Sequence, residues 1–482
     1  MAVLEQIQPA NVFQFFEELC KIPHGTYNTK EISDYCVAFA KKRNLEYLQD
    51  HLNNIIIKKP GTKGYENSAP VILQGHLDMV CEKRPGSAHD FKTDGLDIFI
   101  ENGYVKAKDT TLGGDDGIAI AMALAILDST DVPHPPIEAV FTVDEETGMD
   151  GAQGLDMSVL KGNTLINIDS EEEGILTTGC AGGFTCAIQV PFTKEEHKGT
   201  IMELSLHGLL GGHSGVEINK QRGNAHKEMG RLLNGILKEI PFFLMSICGG
   251  AKDNVIAMES TAKILVKDSD VEAVTRKTSE MKNIWENEFL GEEPGLTIDI
   301  NTEKTDCAIV MNEESTKRIV SFLMICPNGV QGFVRKLDNL VETSLNIGVV
   351  KTEEDAVRFS SLVRSSVESK KQQLKEQLSI CAELVKGTIQ INSEYPAWQY
   401  NPDSRLRKIM EDTYEEMYGE KPVVCAIHAG LECGLFLGKR PELDCVSFGP
   451  NILDVHSFNE RLEIKSVERS FDYLKTVLAK LK

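Results

Sequence analysis

The chain has 482 residues, too many for one compact core, so two or three domains are expected. Hydrophobic residues make up 41% and charged residues 26%, which excludes a fibrous or disordered chain. Asp and Glu outnumber Lys and Arg by 73 to 51, a formal net charge of −22, and this excludes nucleic acid and anionic membrane as partners held by general electrostatics.

The opening stretch MAVLEQIQPANVFQFFEELCKI has no basic segment followed by an apolar one. It reads as an amphipathic helix, and no secretory signal is expected. No apolar run is long enough to span a bilayer. A cytoplasmic location follows from that reading, with the twelve scattered cysteines as free thiols rather than a disulfide scaffold.

Glu31 to Arg43 reads as a helix, Leu52 to Lys59 as a strand, and Val71 to Gln74 as a short buried strand ending at Gly75. Gly117 to Leu127 is apolar nearly all round, so a buried helix is expected. Ile137 to Val143 and Thr164 to Ile168 are further strands. Such alternation predicts an α/β domain with a mostly parallel central sheet and helices on both faces. Residues 191–390 differ in character: they lack clustered acids and histidines and carry two copies of one plan, strands followed by a charged helix, over Asn224 to Lys238 and Glu354 to Leu384. After residue 390 the α/β pattern returns, with helices over Arg405 to Tyr418 and Ser466 to Leu481 and a strand over Cys445 to Phe448. Residues 1–190 and 391–482 are therefore expected to form one domain, into which 191–390 is inserted as an α+β domain.

Five motifs stand at expected strand ends or a helix start. In Gly75-His76-Leu77-Asp78, residues two apart on an extended chain point the same way, so the Asp78 carboxylate can accept the second ring N–H of His76. In Thr111-Leu112-Gly113-Gly114-Asp115-Asp116-Gly117, two adjacent acids precede a buried helix. One would serve as a cap, whereas two repel each other unless a cation is near. Asp144-Glu145-Glu146-Thr147-Gly148 closes a buried strand with three carboxylates, and Asn167-Ile168-Asp169-Ser170 closes another. Val455-His456-Ser457 follows Gly449-Pro450. Two histidines and several carboxylates suit zinc, which takes nitrogen and oxygen ligands, better than calcium, which prefers oxygen alone.

In this order the motifs resemble the di-zinc peptidase family that includes carboxypeptidase G and the aminoacylases. GGHSGVEIN (Gly211 to Asn219), HAGLECGLF (His428 to Phe436) and SFGPNILDVHS (Ser447 to Ser457) resemble, more narrowly, the aminoacyl-histidine dipeptidases, bacterial enzymes that split carnosine-like dipeptides. The resemblance implies two zinc ions per chain, with cobalt or manganese as substitutes. His76 and Asp169 would hold one ion, Glu146 and His456 the other, and Asp115 would bridge them, followed by a cis peptide. Asp78 would orient His76, and Glu145 would be the general base acting on water. The inserted domain would close over the substrate, with His213 stabilising the oxyanion and Asn254 and Arg364 holding the substrate carboxylate. The implied partner is a small peptide, and a homodimer through the inserted domain is one expected assembly. Arg364 is expected on the charged helix of residues 354–384. Other readings on the same scaffold are an aminoacylase, a tripeptidase, or a relative that has lost catalysis.

Overall fold

The computed structural model describes residues 3–335 and 340–482. They form two compact units: one comprises the chain up to Cys180 with Trp398–Ala426 and Leu431–Lys482, the other Ala181–Ala397 with Ile427–Gly430.

The first unit is built on an eight-stranded mixed sheet. Its centre is parallel: strand Val71–His76 lies between Ile137–Thr142 and Thr164–Asn167, and Asp444–Ser447 pairs with the latter. The register sets His76 beside Thr142, Gln74 beside Asn167, and Ser447 beside Asn167. The carboxyl ends of all four strands thus lie within two residues of one another, and the loops that follow them start from one edge of the sheet, where ligands of such sheets gather. The outer strands are antiparallel.

Helix Gly114–Asp128 is buried on every side from Gly114 to Leu127, as its uniformly apolar sequence predicts. Ile118, Ile120, Leu124 and Ile126 are fully enclosed. Each contributes about 1.5–3 kcal/mol by leaving water, so packing rather than an amphipathic face holds this helix. It lies between helix Ala10–Cys20 and strand Val71–His76. A separate four-stranded sheet pairs the hairpin of Ile452–Leu453 and Arg461–Glu463 with Tyr104–Ala107 and Ile98–Glu101. It carries the C-terminal hairpin to the segment that leads into the buried helix.

The second unit is one nine-stranded sheet whose pairings are antiparallel. Its helices are Ala225–Leu237, Val271–Glu288, Glu313–Ile325 and Glu368–Leu384. Here the expected helix over 354–384 is corrected. Ala356–Ser365 is a strand, and the helix starts only at Glu368. Val357, Phe359 and Val363 alternate along one face of that strand and are fully buried, a period of two that the neighbouring charges obscure. Arg364 therefore stands on an interior strand, opposite Ser344, and not on a solvated helix. All twelve cysteines are free thiols, and no helix among the described residues is long and apolar enough to cross a membrane.

Candidate metal centre

The adjoining strand ends of the first unit bring the motif residues together. His76 closes its strand, Glu145 and Glu146 follow the strand Ile137–Thr142, and Asp169 follows Thr164–Asn167. Asp115 enters from the start of the buried helix, where its backbone is not helical (φ −82°, ψ 106°) and the Asp115–Asp116 peptide is cis. His456 enters from the C-terminal hairpin.

Asp115 faces an imidazole with each of its oxygens. Its Oδ1 lies 3.1 Å from His76 Nε2, and its Oδ2 lies 3.2 Å from His456 Nε2. His76 Nε2 is 3.7 Å from Asp169 Oδ1, and His456 Nε2 is 3.1 Å from Glu146 Oε2. The five residues named from sequence as ligands therefore form two groups that meet at Asp115. Asp116 joins them: ligand atoms of His76, Asp116 and Asp169 lie within 4.8 Å of one another, as do those of His76, Asp115 and Glu146. The other ring nitrogen of His76 sits 2.9 Å from the main-chain oxygen of Asp78, with the Asp78 carboxylate at 3.5 Å. That carboxylate instead accepts the N–H groups of Glu145 (3.0 Å) and Glu146 (3.4 Å) and the hydroxyl of Thr26 (3.0 Å).

The electrostatics show an excess of acid. Burial pushes the carboxyls of Asp116 and Asp169 well above the ordinary range and that of Glu145 up to about 8, and the nearby Asp115 carboxylate raises all three further. Burial opposes a charge on His76, yet the nearby carboxylates of Asp115, Asp78 and Asp169 hold its pKa well above the usual value. Hydrogen bonds to the carboxylates of Asp115 and Glu146 lift the half-exposed His456 to about 11. Buried carboxyls that also repel one another fit a site short of positive charge. Glu146 Oε1 is buried without a hydrogen-bond partner among the described residues. Imidazole nitrogens, clustered carboxylates and an orphaned oxygen together fit a pair of divalent cations with nitrogen and oxygen ligands.

Two buried carboxylates beside this cluster received no role from sequence, although Glu432 lies within the HAGLECGLF stretch. Glu432 accepts from Gln74 Nε2 at 2.6 Å and Thr142 Oγ1 at 2.7 Å. Gln74 in turn accepts from Asn167 at 2.6 Å, so a polar chain runs beneath the strand ends. Glu460 lies against the 112–115 backbone. The sequence signals are the HAGLECGLF stretch for Glu432 and, for Glu460, its place three residues after Ser457.

In the second unit, His213 Nδ1 accepts from the N–H groups of Gly215 (3.2 Å) and Val216 (3.3 Å). An accepting Nδ1 puts the proton on Nε2, and burial together with the nearby Arg364 lowers the pKa, so the ring is a neutral donor. Asn254 is held beside it: its carbonyl accepts the Ser214 N–H at 2.9 Å. Arg364 is buried, donates to the Tyr395 hydroxyl at 3.2 Å, and has an Nε without a hydrogen-bond partner among the described residues. His428, buried nearby, meets Ser344 Oγ at 2.7 Å.

Residues 72–480 match the profile of Peptidase family M20/M25/M40. Over 486 aligned residues the chain is 37% identical to the cytosol non-specific dipeptidase of Escherichia coli (strain K12), covering 100% of this chain and 99% of that protein. The crystal structure of aminoacylhistidine dipeptidase from Vibrio alginolyticus superposes with a TM-score of 0.93 at 38% identity, covering 99% of this chain and 98% of that one. The aminopeptidase PepT of Bacillus cereus shares the fold, with a TM-score of 0.57 at 15% identity over 98% of this chain and 99% of that one.

Proposed function

Because the chain belongs to Peptidase family M20/M25/M40, we propose that it is a two-zinc dipeptidase of the cytoplasm that cleaves aminoacyl-histidine and related dipeptides. The observation that carries this reading is the double face of Asp115, whose oxygens address His76 and His456 separately. His76 with Asp169 and His456 with Glu146 then complete the two ion sites. The relatives named for a non-specific dipeptidase and for an aminoacylhistidine dipeptidase, each aligned over essentially the whole chain, support the substrate class.

A bound cation pair supplies Lewis acidity and lowers the pKa of water at the site. The chain's own residues do the rest. Glu145 is the carboxylate of the pair Glu145–Glu146 left outside both ligand groups. It takes the proton of the attacking water and returns it to the leaving amine. Burial and the neighbouring acids favour its protonated form, and added positive charge favours the ionised form that can take a proton from water. Asp78 holds the backbone of Glu145 and Glu146 through two N–H groups, which fixes base and ligand relative to each other. In the second unit His213 presents an Nε2–H donor of the kind that stabilises an oxyanion. Arg364 offers a buried guanidinium to a substrate carboxylate, and Asn254, next to the His213 segment, is the second residue proposed for that contact. The second unit is accordingly the substrate clamp, and a homodimer through it is the assembly to test by sedimentation.

The deciding experiment is hydrolysis of β-alanyl-histidine and a panel of other dipeptides by purified protein, before and after chelation and after zinc re-addition. Zinc-restored cleavage of dipeptides, with tripeptides and N-acylated amino acids left intact, is the expected result. Cleavage unaffected by complete metal removal would overturn the reading.

A further inference from the structure

Glu460 lies four residues beyond His456, at the end of the same tight turn. The Ser457 hydroxyl closes that turn on the Asp454 carbonyl at 2.7 Å, and the Glu460 N–H bonds to the Ser457 carbonyl at 3.1 Å. The Glu460 side chain is buried and turned away from the histidine, onto a backbone segment some 345 residues earlier. Oε2 accepts the N–H groups of Leu112 (2.9 Å) and Gly113 (3.3 Å), and Oε1 those of Gly114 (2.8 Å) and Asp115 (3.4 Å).

The start of the helix Gly114–Asp128 explains why these donors need a remote acceptor. Its N-cap is Gly113, in the left-handed region at φ 67°, with no side chain to cap the turn. The first N–H groups of any helix lack partners within it. Here the carboxylate of another segment satisfies them and interacts favourably with the helix dipole. Close approach is possible because residue 114 is glycine: a Cβ there would stand 3.2 Å from Glu460 Oε1.

One carboxylate thus ties together the two loops that carry Asp115 and His456, whose side chains meet at 3.2 Å. Resting on the reading of this cluster as a metal centre, we infer that Glu460 is a positioning residue for that centre. It sets where the shared Asp115 carboxylate stands relative to His456, and hence how tightly the ions are held. Four N–H groups converge on two oxygens, which a carboxylate accommodates with its four lone-pair sites. Glutamine has the same shape but one accepting oxygen, and its NH2 would face two N–H donors.

The test uses full-length protein stripped of metal, titrated with Zn2+ against a chromophoric chelator and with Co2+ by visible absorption. Wild type is expected to bind two ions per chain. Glu460→Gln is expected to bind at least one of them about 10–100-fold more weakly, the usual effect of losing a group that orients a ligand. Its Co2+ bands should shift, and its metal-free form should melt somewhat lower than wild type, because buried N–H donors lose their acceptor. Glu460→Asp, which keeps the charge, should recover part of the affinity. Unchanged affinity and Co2+ spectrum in Glu460→Gln overturn the inference. So does a lowered metal-free melting temperature in both variants with an unchanged Co2+ spectrum, since the carboxylate would then be a cap and nothing more. If Glu460→Gln does not fold, Glu460→Asp decides, and wild-type affinity there refutes the role. A wild-type chain that binds no metal removes the metal-centre reading itself, and the inference with it. Two ions in wild type with Glu460→Gln unaffected remove the inference alone.

Discussion

The N–H of Glu145 donates to Asp78 Oδ1 at 3.0 Å, linking two residues 67 positions apart, and the same carboxylate accepts Glu146 N–H at 3.4 Å. Asp78 thereby holds a proposed base and a proposed ligand by their backbones, and it also approaches His76 from behind. Replacing it with alanine leaves buried donors unpaired, each worth about 1–3 kcal/mol of stability. Asp78→Ala is expected to lower metal affinity about 10–100-fold and turnover along with it. Parallel metal titration and steady-state kinetics check this. Loss of turnover at full metal occupancy and wild-type affinity would contradict the positioning role.

Glu145→Gln separates base from ligand. The amide keeps the shape of the side chain but cannot take a proton, so kcat is expected to fall by about 10²–10⁴, the usual share of general base catalysis. Metal content should remain at the wild-type level, because Glu146 rather than Glu145 faces His456. Elemental analysis beside kinetics reads both. A fully active Glu145→Gln protein would refute the assignment.

Local pattern alone placed His76, Glu146 and Asp169 at strand ends and Asp115 at a helix start, whereas His456, in a turn, and the naming of all five as ligands rested on the family resemblance. Their convergence follows from parallel strands in near-level register, a consequence of fold class rather than of any one motif. Glu460, Glu432 and Gln74 were not legible, since their roles depend on partners hundreds of residues away or across the sheet. For Asp116, sequence foresaw repulsion with Asp115 but not that its Oδ2 would accept the His76 N–H at 3.1 Å. Arg364 was placed on a helix because charged residues crowd 353–376, whereas the strand Ala356–Ser365 is buried towards its end on both faces and shows little polar alternation there.

Gly75 is a site residue without a side chain. A Cβ there would stand 2.5 Å from Asp116 Oδ2 and 2.9 Å from the Ala119 Cβ. The carboxylate that receives the His76 N–H would have to move, and the buried helix would be pushed from the strand. Gly75→Ala is expected to destabilise the first unit by about 1–3 kcal/mol, as overpacking does. It should also weaken metal binding although no ligand is altered. Denaturant titration with and without zinc measures both effects, and a variant indistinguishable from wild type would show that the strand and helix yield freely.

Acid stability of the second unit should depend on two histidines outside the metal cluster. Burial lowers His226 from 6.5 to about 4, and burial with the adjacent Arg364 lowers His428 to about 3. Both rings are neutral when folded, so the unfolded chain binds more protons wherever the pH lies between the folded and unfolded values. Their stabilising contribution is therefore complete above pH 6.5 and is lost as pH falls towards 4 for His226 and 3 for His428. Each contributes a slope of up to about 1.4 kcal/mol per pH unit. Urea midpoints measured from pH 7.5 to 4.5 should fall in wild type and fall less steeply in His226→Gln. Equal slopes would show that His226 does not titrate with unfolding.

Arg364 tests the proposed recognition of the substrate's free carboxylate. Its guanidinium is buried and held by Tyr395, with one nitrogen left without a hydrogen-bond partner among the described residues. Taking such a charge out of water is unfavourable unless an anion compensates it. A dipeptide carboxylate would do so through a planar two-point contact that an ammonium cannot reproduce. Arg364→Lys is therefore expected to raise KM for dipeptides by about tenfold or more, and Arg364→Ala to lose kcat/KM by about 10²-fold, on the scale of a charged hydrogen-bonded contact. Neither change should alter zinc stoichiometry, since Arg364 and the metal cluster belong to different units. The discriminating substrate is a dipeptide amide. Wild type should prefer the free acid strongly, and Arg364→Ala should treat acid and amide nearly alike. A preference for the acid that survives Arg364→Ala would place carboxylate recognition elsewhere, with His428 the next residue to replace.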